Sequence, residues 1–97
     1  MTVKVTFELK LQEGNTEAII DIARQAFPIT RKYDGCKQID ICVSQDDPTV
    51  VIMTEEWETK EKHQAYIQYR INDGTIDKIG ALLDAEPKIS YYDIKDA

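Results

Sequence analysis

A regular alternation near the start of the sequence constrains the fold of this chain more than any other feature. Apolar side chains occupy every second position and polar ones lie between them; the apolar set is Val3, Val5, Phe7, Leu9 and Leu11. Successive side chains of a β-strand point to opposite faces, so Thr2 to Leu11 is predicted to form a strand with one buried face. Helices must then cover that face of the sheet.

The next segment is predicted to be one bent amphipathic helix. Its apolar residues recur at helical spacing from Ile19 to Phe27 and continue toward Tyr33. The side chain of Asn15 or Thr16 is expected to accept hydrogen bonds from the first free helix amides. Pro28 removes one helical N–H, so a kink is expected there without a division into two helices.

Three further segments have strand character. Lys37 to Ser44 alternates, and Asp46-Asp47-Pro48 is typical of a turn. Val50 to Trp57 is apolar on both faces at first, which indicates a strand covered on both sides. Pro87 introduces the last predicted strand, Lys88 to Ile94.

The order of these elements predicts the fold class. Thr59 is the predicted N-cap of a second helix, which Asn72-Asp73-Gly74 interrupts before a shorter helix from Thr75. The order β-α-β-β-α-β, with this extra helix before the last strand, is the split β-α-β arrangement of ferredoxin-like folds. The sequence therefore predicts an α+β fold with one four-stranded antiparallel sheet. Its 97 residues suit a single domain, residues 1–97.

The sheet face without helices is expected to bind a second copy of the chain. Its apolar residues lie beside the charged Lys4 and Glu8; they are Cys42, Val50, Ile52, Tyr92 and Ile94. A partly apolar face of this kind favours burial. A homodimer joined sheet to sheet, a dimeric α+β barrel, is predicted.

Charge and hydropathy limit the partners. The net charge of -6 disfavours nucleic acid and anionic membranes. The first ten residues resemble neither a signal peptide nor a membrane span, so a cytoplasmic location is expected. Cys36 and Cys42 lie six residues apart on one predicted strand, too far for a mutual disulfide, and are predicted to be free thiols.

Several short motifs, taken in order, cover nearly the whole chain. They are Glu13-Gly14 after strand one, Asp34-Gly35-Cys36 before strand two, Asp47-Pro48 between strands two and three, Glu56-Trp57 closing strand three, and Ala65-Tyr66 to Tyr69-Arg70 in the helix. Their order and spacing resemble the antibiotic biosynthesis monooxygenase domain family. These are small dimeric α+β barrel proteins related to quinol monooxygenases.

The resemblance implies several activities. Enzymes of the family oxidise electron-rich aromatic polyketides or quinols with O2 and need no metal or flavin, so no cofactor is expected; other members degrade haem or isomerise small signalling sugars. Haem-degrading relatives carry an Asn on strand one and a His on the helix, where this chain has Phe7 and a residue near Ile67. These departures argue against haem. Many relatives also carry a His where this chain has Tyr66.

The only His and the only Trp lie on either side of one predicted strand-to-helix junction. Cofactor-free oxygenation requires removal of a proton from a phenol or quinol, because the anion passes an electron to O2 more readily. His63 is the predicted catalytic base, since an unperturbed imidazole pKa suits that role. Trp57 offers a flat apolar wall and an N–H donor for substrate.

Four other residues are predicted to bind the substrate. Tyr66 and Arg70 share one helical stripe with His63, where a hydroxyl or a cation can stabilise a developing phenolate. Tyr33 and Asn72 are candidates for the rim of the pocket. Structural alternatives are a solvated surface position for His63, a core position for Trp57, simple packing for Tyr66 and an exposed helix charge for Arg70.

Three functional hypotheses follow. The first is a cofactor-independent monooxygenase acting on a small hydroxylated aromatic compound. The second is a non-catalytic dimeric module that binds an aromatic or carbonyl metabolite in the same slot. The third is an isomerase, or an enzyme degrading a small carbonyl compound, in which His63 moves a proton without O2. Oxygen uptake and anaerobic activity discriminate among the three.

Overall fold

The computed structural model describes residues 2–97 and contains each predicted strand and helix. The elements are β1 (Val3–Lys10), α1 (Thr16–Lys32), β2 (Cys36–Val43), β3 (Val50–Trp57), α2 (Lys60–Asn72), α3 (Thr75–Gly80) and β4 (Lys88–Asp93). Their ends differ from the predicted ends by a few residues at most. α1 continues through Pro28 as one helix, as the sequence indicated.

The four strands form one antiparallel sheet in the order β2-β3-β1-β4. β1 therefore lies inside the sheet, paired with β3 on one side and β4 on the other. This order is that of the split β-α-β arrangement, so the predicted ferredoxin-like α+β fold is confirmed.

One face of the sheet packs against the helices and carries the core. Every second residue of β1 and β3 is buried there, and α1 contributes one apolar stripe; the buried apolar residues of these elements are Val5, Phe7, Leu9, Val51, Met53, Trp57, Ile19, Ala23 and Phe27. The alternation in β3 also brings Glu55 to this face, between Met53 and Trp57, where it is 2% exposed. A carboxyl group is thus built into the core.

The two helix starts differ in how they are capped. Thr59 caps α2 as predicted, because its Oγ1 accepts a hydrogen bond from the Lys62 N–H at 3.1 Å. The predicted capping by Asn15 or Thr16 is wrong. Asn15 Nδ2 donates to the carbonyl of Leu82, and Thr16 Oγ1 donates to the carbonyl of Pro48. Both side chains are used to fix neighbouring loops to the start of α1.

The opposite face of the sheet is open in the single chain. The strand register places Lys4 opposite Tyr92 and Glu8 opposite Ile52, as the sequence pattern predicted. Val50 remains 42% exposed, so β3 is covered on only one side by its own chain. In the part of the chain that is described, residues 2–97, no helix has the length and apolarity needed to cross a membrane.

Candidate functional site

A buried acid and a buried base meet where β3 leads into α2. Glu55 and Trp57 are two residues apart on β3 and therefore point to the same face. His63 comes from the first turns of α2 and is 0% exposed, as is Trp57. The start of the helix thus places the imidazole over the end of the strand.

Short contacts join these three side chains to β4. The Trp57 indole N–H donates to Oε1 of Glu55 at 2.8 Å. Nε2 of His63 lies 3.6 Å from the same oxygen and has no hydrogen-bond partner among residues 2–97. Nδ1 of His63 lies 2.7 Å from the hydroxyl oxygen of Tyr91. A continuous line of polar atoms therefore runs from β3 through α2 to β4.

Burial shifts the pKa values of both ionisable groups toward their neutral forms. Desolvation raises the pKa of Glu55 from 4.5 to about 7, although the hydrogen bond from Trp57 opposes this shift. Desolvation lowers the pKa of His63 from 6.5 to about 4. Near neutral pH the carboxyl group is therefore the one that exchanges a proton, and the imidazole is uncharged.

A second buried polar cluster ties α1 to α2. Arg70 is 4% exposed, and it makes five hydrogen bonds, which engage Nε and both terminal nitrogens. Nε donates to the Tyr66 hydroxyl at 2.8 Å, and Nη1 donates to Asp73 at 2.9 Å. The Tyr66 hydroxyl also contacts Thr30 of α1. A guanidinium has five N–H groups, so Arg70 has none left for a ligand unless a helix contact breaks.

A small cavity of about 30 Å³ lies between the helices and the sheet. Its walls are mostly apolar, and its polar lining residues are Glu55, Tyr66 and Thr75. Oε1 is the oxygen of Glu55 that contacts Trp57 and His63, while Oε2 has no hydrogen bond within the described residues. A volume of this size holds one or two water molecules.

A larger surface pocket of about 190 Å³ adjoins this cavity between α1 and α3. Ile22, Ala26 and Thr75 line both spaces and form the partition between them. Arg70 and Lys78 also line the outer pocket; Arg70 is paired with Asp73 at 2.9 Å, so among residues 2–97 Lys78 is the lining cation without an ion pair. The outer pocket therefore favours anionic or electron-rich ligands.

The structure brings some of the predicted site residues together and separates others. His63, Trp57 and Tyr66 form one aromatic cluster, with ring centroids 5.3 Å apart for Trp57 and His63. Tyr33 packs edge-on against Trp57 and Tyr66. Asn72 corrects the prediction: it is exposed, accepts a hydrogen bond from Gln68, and lines neither cavity.

Two expectations about the central pair change. The predicted solvated alternative for His63 is wrong, because its ring is buried. Neither His63 nor Trp57 lines the small cavity, whose wall their neighbours Glu55 and Tyr66 reach instead. The exposed alternative for Arg70 is wrong for the same reason of burial.

Three polar residues of the site were not predicted. The signal for Glu55 was present, because it shares the inward alternation of Val51 and Met53. Tyr91 is 28 residues from His63, and Thr30 is 36 residues from Tyr66. Only the pairing of β4 with β1 and the packing of α1 on α2 bring those groups together.

The positions at which haem-degrading relatives carry Asn and His are apolar in the structure. Phe7 and Ile67 both line the small cavity, and neither has a ligating atom. Among residues 2–97, no three His, Cys, Asp or Glu side chains lie close enough together to hold a metal ion.

The sequence matches the family model described as antibiotic biosynthesis monooxygenase over residues 2–70. This match includes Glu55, Trp57, His63 and Arg70. No curated protein matches the sequence significantly.

Several solved structures are similar along almost the whole chain. A conserved protein from Methanosarcina mazei is 18% identical with a TM-score of 0.88, covering 98% of this chain and 94% of its own. A Nitrosomonas europaea protein, provisionally described as an antibiotic biosynthesis monooxygenase, is 20% identical with a TM-score of 0.85, covering 94% and 88%. A protein from Bordetella bronchiseptica with the same provisional description is 17% identical with a TM-score of 0.85, covering 97% of both. At these identities the similarity establishes the fold.

Proposed function

Because the chain belongs to the antibiotic biosynthesis monooxygenase family, we propose that it is a cofactor-independent monooxygenase of a small hydroxylated aromatic compound. The observation that carries the proposal is a single ionisable carboxyl group in the wall of an apolar cavity. Glu55 supplies that group, and its pKa of about 7 matches the requirement for a general base at neutral pH.

In this proposal Glu55 takes the proton and His63 assists it. The sequence favoured His63 as the base, but that ring lies behind the carboxyl group and is uncharged near neutral pH. Glu55 has one oxygen held by Trp57 and one without a hydrogen bond among the described residues. The free oxygen is the one that can face a substrate hydroxyl in the cavity.

The proposed reaction balances with O2 as the only co-substrate. Deprotonation of the substrate hydroxyl leaves an electron-rich anion, which transfers an electron to O2. A ring carbon carrying two hydrogens in the keto form becomes a carbonyl; one oxygen atom of O2 enters the product and the other leaves as water. All four electrons come from the substrate, and the apolar walls keep bulk water from the anion.

Substrate entry requires the partition between the two spaces to move. Ligand sites for drug-sized molecules are usually about 300 Å³ or more, well above the inner cavity alone. Displacing the side chains of Ile22 and Thr75 would join it to the outer pocket. The positive charge of Lys78 at the entrance favours a hydroxylated, electron-rich ring.

The experiment is oxygen uptake by the purified protein with a panel of hydroquinones, naphthols and anthrones. Glu55→Gln preserves the size of the side chain and an acceptor for Trp57 but removes the base. We expect a fall in kcat of about 100-fold or more. Glu56→Gln is the matched control, because Glu56 is the next residue on the strand and points to the opposite face. Equal rates in the two variants would contradict the assignment.

The same experiment separates the other hypotheses. Turnover of a carbonyl compound under anaerobic conditions would indicate an isomerase or a degrading enzyme that uses the same carboxyl group. Retention of an aromatic ligand without oxygen uptake would indicate a binding module. His63→Ala is expected to lower oxygen uptake; an unchanged rate would remove the imidazole from the mechanism.

We also propose that the open sheet face binds a second copy of the chain. Its support is the exposed apolar surface, with Val50, Tyr92 and Ile94 at 42%, 51% and 55% exposure. Sedimentation analysis is expected to give a dimer, and Val50→Asp is expected to shift it toward monomer. A natural protein that is monomeric at micromolar concentration would contradict the proposed dimer.

A further inference from the structure

A line of polar contacts from Glu55 through His63 to Tyr91 leads from the cavity toward the protein surface. Glu55 lines the cavity at one end. Tyr91 at the other end is half-buried on β4, and Lys60 lies over its ring, with Nζ 4.8 Å from the centroid. Within residues 2–97, His63 contacts both ends, at 3.6 Å from the carboxyl oxygen and 2.7 Å from the phenol oxygen.

From this geometry we propose that Glu55, His63 and Tyr91 form a proton exit relay that carries the substrate proton from the cavity to water. The inference rests on the proposed function, since a proton must first be taken from a substrate. It adds Tyr91, which is remote from the cavity, to the residues that determine the rate. It also gives the buried imidazole a defined task, which is to transfer a proton rather than to contact the substrate.

The relay conserves protons and charge. The substrate proton moves to Oε2 of the ionised Glu55, and rotation of the carboxyl group turns this proton toward Nε2 of His63, which accepts it as Glu55 returns to the carboxylate. The proton on Nδ1 then moves to the Tyr91 oxygen, and the Tyr91 hydroxyl proton passes to water. The electron pair of the substrate O–H bond stays on the substrate oxygen, and each relay residue ends with its original charge.

The starting tautomer of His63 follows from this sequence. Nδ1 must carry the proton and donate to Tyr91, while Nε2 offers its lone pair to Glu55. The contacts are compatible with this tautomer, because Nδ1 lies 2.7 Å from the Tyr91 oxygen and Nε2 has no hydrogen-bond partner among residues 2–97. The 3.6 Å separation must shorten when the carboxyl group takes a proton toward Nε2.

The surroundings keep the imidazole and the phenol of the relay neutral. Trp57 of β3 and Tyr66 of α2 pack on the imidazole, with ring centroids 5.3 Å and 6.5 Å away, and neither carries a charge. Lys60 of α2 faces Tyr91 and is the cation beside the exit. Burial, and then the negative charge of Glu55, raises the pKa of Tyr91, so its hydroxyl keeps the proton that a relay needs.

Tyr91→Phe tests the relay, because it removes the hydroxyl and keeps the ring. We expect kcat for oxygen uptake to fall about tenfold or more with KM within twofold, and we expect 100 mM imidazole buffer to restore part of the rate. The solvent deuterium isotope effect on kcat is expected to rise, since proton exit becomes limiting. Loss of a merely structural contact would give neither buffer rescue nor a changed isotope effect.

Tyr69→Phe is the matched control. Tyr69 is 37% exposed, and its hydroxyl makes no hydrogen bond within the described residues. The Tyr69→Phe variant should retain the kcat of the natural protein and show no response to imidazole. If Tyr91→Phe and Tyr69→Phe behave alike, the relay is wrong while the proposed oxygenation stands.

A second measurement is independent of activity. Nitrogen-15 NMR of the ring of His63 is expected to show protonated Nδ1 and unprotonated Nε2 at pH 7, and a shifted Nδ1 signal in Tyr91→Phe. A protonated Nε2 would overturn the relay whether or not the protein shows oxygen uptake. If no substrate supports oxygen uptake but this tautomer is found, the proposed function fails and the path of polar contacts itself is retained.

Discussion

Replacing Glu55 with glutamine should stabilise the folded protein at alkaline pH even as it removes the proposed base. The carboxyl group is 2% exposed, and burial raises its pKa from 4.5 to about 7. Between these values the folded state holds a proton that the unfolded state has lost. The free energy of unfolding of the natural protein therefore falls as pH rises through this range.

The magnitude follows from the two pKa values. A difference from 4.5 to about 7 corresponds to about 3 kcal/mol, since each pKa unit is worth about 1.4 kcal/mol. The advantage of Glu55→Gln over the natural protein should therefore increase by about 3 kcal/mol between pH 4.5 and pH 8. Most of this increase is expected below pH 7, and the advantage becomes constant above it.

His63 has the opposite pH dependence. Burial lowers its pKa from 6.5 to about 4, so the unfolded state binds the additional proton. Its contribution to stability is present above pH 6.5 and is lost as pH falls toward 4. Both proteins retain His63, so this dependence cancels when the two free energies are subtracted. The natural protein alone should show a nearly flat profile between pH 4.5 and 6.5, because the two residues oppose each other.

Urea denaturation followed by Trp57 fluorescence measures these free energies. Glu56→Gln is the control, since its carboxyl group lies on the open face of the sheet and is partly exposed. Parallel profiles for Glu55→Gln and the natural protein would refute the reasoning, because they would mean that burial does not displace the carboxyl pKa.

Three structural predictions concern the frame of the site. Gly35→Ala should cost about 1–2 kcal/mol of unfolding free energy, because Gly35 has φ +93° and an added Cβ would lie 2.6 Å from Cδ of Lys62. Thr59→Ala should cost about 1 kcal/mol through loss of the α2 cap, and helix content at 222 nm should melt earlier. Arg70→Met should cost about 3 kcal/mol, since it leaves buried acceptors unpaired, whereas Arg24→Met on the exposed face of α1 should cost less than about 1 kcal/mol. Urea midpoints within experimental error of the natural protein would contradict any of the three.

The fold was predictable because its signals are local. Alternation in Val3–Lys10 and Val50–Trp57 and the cap at Thr59 each specify an element within a few residues. The order of these elements then indicated the split β-α-β arrangement. The wrong prediction, capping by Asn15 or Thr16, failed because carbonyl groups from distant loops compete for those side chains.

The site was only partly predictable because its contacts join distant segments. His63 and Trp57 are six residues apart, so their convergence was accessible from the sequence. Whether His63 faces water or the core depends on β4, which contributes Tyr91 from across the sheet. Arg70 likewise has the sequence pattern of an exposed helix charge. Its burial depends on α1, where the carbonyl of Ala26 accepts a hydrogen bond from Nη2 of Arg70 at 2.8 Å.

The burial of Glu55 is better explained by chemistry than by stability. Its two neighbours supply one hydrogen bond and one longer contact, which is too little to repay the desolvation of a carboxylate. An apolar residue of similar size would fill the same position in β3 and stabilise the core. Residues that lower the stability of the folded state at one defined position are characteristic of functional sites. A carboxyl group beside an apolar cavity, with an imidazole and a phenol behind it, fits proton transfer better than it fits packing.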